Sequence, residues 1–293
     1  KHGNRAASSK AGAADTLLPA GVDPARARLL FVHAHPDDES SQTAGTMARA
    51  AAEGHRVVEI FATNGDFGTP LEAADDAQEV LSVADHRRTE AAAAARVLGI
   101  SRVEWLGYHD SGMTGWEQND GEACFHRADV DEAARAVAAI LDDEGADVLV
   151  GYDWHGGYGH PDHVKVHQVA HRAAELAAER PRLLEQSMNR DRLRALREQA
   201  LAAGASPDEV MDPDGPADDG NGFGIPASQL HWQLELDDEL LELKRRTMQC
   251  HASQADVQGM LAMPLEHFRA FFGVESYREP GLAQELSSQW LFA

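Results

Sequence analysis

Short apolar, β-branched runs alternate with Ala-rich stretches from Arg28 onward. Leu29–His33 reads as a buried strand. Arg56–Thr63, Arg102–Leu106 and Asp147–Tyr152 read as three more, because runs this short and continuous suit strands covered on both faces. Ser41–Glu53, Asp85–Leu98 and Val130–Glu144 read as helices, each stopped by a glycine, at Gly54, Gly99 and Gly145. The acidic Leu71–Val83 reads as a loop or a short helix. His160–Glu179 reads as a helix that tolerates Pro161 in its first turn. Strands alternating with helices at this rhythm predict an α/β fold: a mostly parallel sheet with helices on both faces.

The rhythm breaks after Arg180. Arg190–Leu201 has the composition of a charged helix, and Ser206–Pro226, rich in Pro, Gly and Asp, is expected to be a mobile loop. His231–Leu236 resembles a further strand, and Asp237 or Asp238 can cap a helix over Glu239–His251. The tail Met260–Ala293 carries several aromatics and is expected to pack back on the body. The expected division is thus residues 1–27 as arm and lead-in, 28–180 as the principal domain, 181–226 as charged helix and loop, and 227–293 as a C-terminal appendage. Lys1–Ala14 has no initiator Met and consists mostly of Lys, Ala, Ser, Gly and Asn, as in a disordered arm or an expression remnant.

In a parallel sheet, ligands bind outside the carboxyl ends of the strands. The polar loops after the first four strands should therefore converge on one cleft, lined by His35, Asp37, Asp38, Asp66, Asp110, His160 and His163. The first strand runs into Ala34-His35-Pro36-Asp37-Asp38-Glu39, the fourth into Gly156-Gly157-Tyr158-Gly159-His160-Pro161-Asp162-His163. Carboxylates leaving a core must be solvated, paired or bound to a cation, because burying them bare is costly. Each stretch alone has an ordinary reading, as helix-capping acids or as surface histidines at a helix start. Both together, each after a strand and in the right order, predict one metal site.

A catalytic zinc takes three protein ligands and leaves a position for water. His35 and Asp38, three apart at a strand-to-helix turn, could face one point, and His163 could complete the set. Asp37 is then free to take a proton from the water, and His160 to protonate a leaving group or hold an oxyanion. Such a site is equipped to hydrolyse an amide or an ester. Iron(II) could serve in place of zinc. His167 and His171 are expected on the solvated or packed side of their helix, whereas Asp66 and Asp110 read equally as ordinary turn residues.

Composition narrows the partners. The formal charge is −23, from 26 basic and 49 acidic residues, which argues against nucleic acid or an anionic membrane surface. No segment approaches the roughly 20 apolar residues of a membrane span. Cys124 and Cys250 are far apart and fit two reduced thiols in a cytoplasmic protein. A small-molecule substrate remains, with the oligomeric state open.

His35-Pro36-Asp37-Asp38-Glu39 and His160-Pro161-Asp162-His163 resemble the two signatures of the PIG-L (LmbE-like) zinc-dependent de-N-acetylases. The resemblance covers roughly Leu29 to Leu176, with a weaker echo at Lys244–Gln254, where a Lys…His-x-Ser-Gln pattern recurs. It implies a Rossmann-like fold and removal of an acetyl group from an N-acetylated amino sugar. It implies zinc on His35, Asp38 and His163, Asp37 as general base, and His160 as general acid or oxyanion holder oriented by Asp162. Tyr158 would assist at the oxyanion, while Arg87 and Asp110 would grip the sugar. His33-Ala34-His35, Asp110-Ser111-Gly112-Met113 and Gly156-Gly157-Tyr158-Gly159 bring the chain nearest to the mycothiol-pathway branch. Thr69 stands where that branch usually has glutamate, and Trp154-His155 where it has Pro-Asn. Both positions are expected to border the cleft, which leaves room for another aglycone and for a tailoring deacetylase of secondary metabolism. A thiol-conjugate amidase and an inactive metal- or sugar-binding protein are the rival expectations.

Overall fold

The computed structural model describes residues 26–68 and 77–292, and of residues 77–82 the backbone only. Among these residues one sheet holds β1 (Arg28–His33), β2 (Arg56–Thr63), β3 (Arg102–Tyr108), β4 (Val148–Tyr152), β5 (Arg182–Ser187), β6 (Trp232–Glu235) and β7 (Val274–Arg278). Their spatial order is β3-β2-β1-β4-β5-β7-β6. β1 to β5 pair parallel, and β7 runs antiparallel between β5 and β6. The helices are α1 (Ala44–Ala52), α2 (Ala77–Leu98), α3 (Val130–Glu144), α4 (Pro161–Leu176), α5 (Arg190–Ala202), α6 (Asp238–Cys250), α7 (Ala255–Leu261) and α8 (Leu265–Phe272).

Side chains alternate across a strand, so a strand buried on both faces can be apolar throughout. In β1, Leu29 and Phe31 join one core with Met47 of α1, Leu241 and Met248 of α6, and Phe268 of α8. Leu30 and Val32 join the other, with Val137 and Leu141 of α3 and Val166 and Val169 of α4. Gly151 lets α4 lie close on β4, since a Cβ there would stand 2.8 Å from Ala170 Cβ.

The strand order creates the site. From β1 the chain builds outward to β2 and β3, and from β4 it builds the other way to β5. β1 and β4 are neighbours, so the loops leaving their carboxyl ends diverge around a crevice.

Several boundaries shift. α2 starts at Ala77 rather than Asp85, so Ala77–Val83 is helical, while residues 71–76, Thr69 and Lys1–Ala14 lie outside the described residues. A π-helical turn, Glu39–Thr43, precedes α1. Two strands, β5 and β7, were hidden from the sequence by their polarity. Each buries a glutamate: Glu185 is paired with Arg278 (2.6 Å) and hydrogen-bonded to His171 (2.6 Å), and Glu275 is paired with Lys244 (2.9 Å). The sheet therefore runs on through the segments expected as charged helix, loop and appendage. Ser206–Pro226 holds only one 3-10 turn, Pro207–Glu209, and is tied down: the Asp218 and Gly224 N–H groups donate to the Tyr158 and Gly157 carbonyls (2.9 and 2.6 Å).

Candidate active site and metal centre

The turn after β1 sends each of its carboxylates to a different partner, Asp38 to His35 and His163, Asp37 to Arg87 and Glu39 to His251. Asp38 Oδ2 accepts from the His35 backbone N–H (2.8 Å), and Oδ1 accepts from Gln42 Nε2 (3.0 Å) one helical turn on. The same Oδ2 lies 3.4 Å from His35 Nδ1 and 3.3 Å from His163 Nε2. Ligand atoms about 2.0–2.1 Å from a common tetrahedral ion stand roughly 3.3–3.4 Å apart. His163 Nε2 is buried with no hydrogen-bond partner, while its Nδ1 donates to the Gly156 carbonyl (3.2 Å). That bond fixes the tautomer and leaves Nε2 with its lone pair facing the centre, as in a metal-binding histidine. The approach requires glycine at 156, where φ is +63° and a Cβ would meet the His163 backbone at 2.7 Å.

His35 is oriented from behind. Its Nε2 donates to Asp162 Oδ2 (3.1 Å) and lies 3.5 Å from Asp110 Oδ1. Ser111 binds the same Asp162 carboxylate with its N–H (2.9 Å) and its hydroxyl. Asp162, expected to orient His160, thus sends its carboxylate to His35. His160 instead caps α4, its Nδ1 accepting from the Asp162 backbone N–H (3.1 Å). Ring nitrogens of His35, His160 and His163 also cluster within 4.8 Å. Asp38 is the better third donor, because His160 Nδ1 accepts from a backbone N–H, which puts the ring proton on Nε2 and leaves that nitrogen no lone pair for a metal. The donor set fits a divalent metal.

Electrostatics separates the carboxylates. Burial would raise Asp38, but the neighbouring imidazoles of His163 and His35 hold it well below the usual carboxylate range. Asp110 is lowered as well: against its burial, the charge and hydrogen bond of His35 prevail. Asp37 goes the other way, pushed up to about 7 by burial against the pull of Arg87. Its backbone sits at φ +119°, a strained conformation for a non-glycine residue that needs support from its surroundings. Arg87 supplies part of it, donating to Asp37 Oδ2 (2.7 Å), to the Gly65 carbonyl (2.7 Å) and to the Pro36 carbonyl. Glu39 supplies the rest by accepting from the Asp37 N–H (2.8 Å), itself anchored by His251 Nε2 (2.5 Å).

His35, Asp37, Asp38, Arg87, Asp110, Tyr158 and His160 all line one cavity of about 250 Å³. Arg87 borders it, but its guanidinium is committed to Asp37 and the neighbouring backbone rather than open to a sugar. Asp66 does not line it: the carboxylate binds His109 Nδ1 (2.5 Å) and the Asp110 N–H (3.1 Å), and so holds the loop carrying Asp110. Trp154 and His155, expected at the cleft, are not there either. Trp154 is exposed and stacked on His155, and the buried His155 donates to the Gly224 carbonyl (3.1 Å). His167 and His171 are half-buried and share Glu185.

Reasoning from the sequence missed Gln42, Ser111, Glu39 with His251, and Gln254, which lines the cavity. His251 and Gln254 lie in the His-x-Ser-Gln echo, and Gln42 stands four residues after Asp38, the spacing that stacks helical side chains.

Residues 30–174 match the family model described as PIG-L, GlcNAc-PI de-N-acetylase. The chain is 47% identical over 161 residues to a 1D-myo-inositol 2-acetamido-2-deoxy-alpha-D-glucopyranoside deacetylase of Streptomyces avermitilis, covering 52% of this chain and 54% of the relative. It spans about half the length of the curated relatives it matches in this way. A Nocardioides protein of the same description is 37% identical over 286 residues, covering 86% of this chain and 91% of that one. In structure the chain resembles the N,N'-diacetylchitobiose deacetylase of Pyrococcus horikoshii, with a TM-score of 0.56, 22% identity and coverage of 86% and 82% of the two chains, a likeness of fold. With the Nocardioides relative 37% identical along 86% of this chain and 91% of its own, the protein belongs to the PIG-L family.

Proposed function

We propose that the chain is a zinc-dependent hydrolase that removes the acetyl group from an N-acetylated amino sugar in a GlcNAc-type glycoside. The observation that carries the reading is the shared point faced by His35 Nδ1, Asp38 Oδ2 and the unpartnered His163 Nε2, with Asp37 beside it. Zinc is the metal favoured by this two-nitrogen, one-oxygen set, and iron(II) is a second candidate. Bound there, a divalent ion supplies a Lewis acid for the amide carbonyl and makes the attacking water more acidic.

The protein's own groups do the rest. Asp37 takes a proton from the attacking water and returns it to the departing amine, a two-way role suited to a carboxyl raised to about 7. Arg87 and Glu39 hold Asp37 in place. His160 donates to the developing oxyanion rather than acting as an acid. Its Nδ1 accepts from a backbone N–H, so the ring proton sits on Nε2, and burial keeps the ring neutral. Tyr158, whose phenol is raised by burial and by the Asp38 charge, is a second donor. Asp162 fixes His35, and Asp110 with the residues around Gln254 faces the sugar.

The substrate is then a small amino sugar. Among the described residues, no helix is long and apolar enough to cross a membrane. A cytoplasmic setting belongs to the same reading, supported by the free thiols of Cys124 and Cys250.

The test is free-amine release from a panel of N-acetylglucosaminyl glycosides by zinc-loaded protein, before and after chelation. Release that chelation abolishes and zinc restores is expected. No release across the panel would overturn the reading.

A further inference from the structure

A second cavity, of about 380 Å³, adjoins the first. Ser41, Gln42, Tyr158 and Met260 belong to the walls of both, so the two spaces meet beside the metal centre. The second has other chemistry. Met188, Leu193, Met211, Phe223, Phe271 and Phe272 supply its apolar surface. No acidic residue lines it, in a chain with 49 acidic and 26 basic residues, whereas Asp37, Asp38, Asp110 and Asp256 line the first.

One charged group enters the second cavity, Arg192 of α5. Its backbone N–H is held by Asn189, while its guanidinium has no ion pair or hydrogen bond among the described residues. Burial lowers its pKa, and Glu235 acts on it from beyond ion-pair distance. A half-buried cation with no partner among the described residues, in an acid-free, apolar cavity, is a site for an anion on an apolar carrier.

We propose that this cavity is a substrate subsite for an apolar substituent that bears an anionic group, carboxylate or phosphate, with Arg192 as the group that selects the anion. The inference rests on the reading of the adjoining pocket as the site of an N-acylated amino sugar. The volume lies within the range of small-molecule sites, about 300–1,000 Å³. The fold explains the location: β7 runs antiparallel to β5, pairing Ser187 with Ser276, and so brings the start of β7 and the end of α8 to the carboxyl end of β5. The substituent can be attached as the aglycone or as an acyl group longer than acetyl, since both radiate from the sugar.

Calorimetry on the intact, zinc-loaded protein tests it with four compounds. These are the methyl, hexyl and carboxyhexyl glycosides of N-acetylglucosamine, and the methyl glycoside of glucosamine acylated with a carboxyheptanoyl chain. The hexyl glycoside is expected to bind at least about tenfold more tightly than the methyl glycoside. One of the two carboxylated compounds is expected to bind about fivefold more tightly still, and which one it is names the point of attachment. Arg192→Gln should abolish the gain from the carboxylate and spare that from the hexyl chain. Val274→Phe, which fills the cavity from its β7 wall, should abolish both and leave amine release from the methyl glycoside unchanged.

Equal affinity for all four compounds, or gains that survive both substitutions, would overturn the proposal. A hexyl gain to which neither carboxylate adds anything would refute the role of Arg192. Amine release from the methyl glycoside without any gain in affinity leaves the hydrolase and removes the subsite. The gains without amine release from any compound leave the subsite and remove the hydrolase.

Discussion

The two cavities that meet at Tyr158 are made by different parts of the chain. The polar one is built mainly from turns that follow β1 to β4, and much of its chemistry sits in short stretches, His35 to Gln42, Asp110 to Met113 and Tyr158 to His160. The apolar one is assembled mostly from residues scattered between Gln186 and Ser276, and shares Ser41, Gln42, Tyr158 and Met260 with the first. Parallel strands deliver chemistry to one edge of a sheet in short motifs, whereas a substituent pocket needs only shape and apolar surface. The polar half also depends on the other half. His251 anchors Glu39 under Asp37, Ser253 binds Glu90 of α2, and Glu275 accepts from the N–H groups of Gly45 and Thr46 in α1.

The contrast can be sharpened by substitutions that touch one half at a time. Asp38→Ala should have the largest effect. Loss of stoichiometric zinc, read by atomic emission, should accompany a fall in amine release of at least about a thousandfold, while hexyl glycoside affinity keeps its gain over methyl. Lys244→Met should leave the fold as the casualty. It strands Glu275 as a buried, unpaired charge, expected to cost about 3–5 kcal/mol in a urea titration. The double substitution with Glu275→Gln should recover part of the loss, because it removes the stranded charge.

His251→Phe crosses between the halves. It takes away the donor to Glu39 and loosens the anchor of the Asp37 backbone. Turnover should fall about 10–100-fold with zinc retained, and a loss of zinc instead would break the proposed division of labour.

Glu59→Gln should have the smallest effect, and one that depends on pH. Glu59 is fully buried and raised to about 7 by burial, against the opposing charge and hydrogen bond of His33. The folded state therefore holds the Glu59 proton at pH values where the unfolded chain has released it, and stability declines as pH rises from about 4.5 to about 7. Glutamine stays neutral, so the substitution should gain stability relative to the wild type at pH 8 more than at pH 5 in thermal melts.

Legibility in the sequence followed the same divide. β1 to β4, α3 and the metal-centre stretches were readable because they are apolar runs, glycine stops and contiguous His-Asp motifs. β5 and β7 were not, because Arg182–Ser187 and Val274–Arg278 carry glutamates that are buried only by virtue of partners far away in sequence, Arg278 and Lys244 among them. The partners of the Asp162 carboxylate were hidden for a related reason. The resemblance implied that it orients His160, which here only its backbone N–H reaches, while the first turn of α4 aims the carboxylate across the crevice at His35 and Ser111. Asp66 was correctly brought to the region and wrongly turned into the cavity, since its partners, His109 and the Asp110 N–H, appear only in three dimensions. The apolar cavity left no mark at all, because its Met and Phe residues are indistinguishable in sequence from core.

The central claim is that three side chains hold a metal while Asp37 beside them moves the proton. Zinc content and amine release, measured together on wild type and Asp37→Asn, separate the two roles. One zinc per chain is expected in both proteins, with turnover lower by about 10²–10⁴-fold in the variant. Turnover within a few-fold of wild type, or loss of zinc together with turnover, would contradict the account.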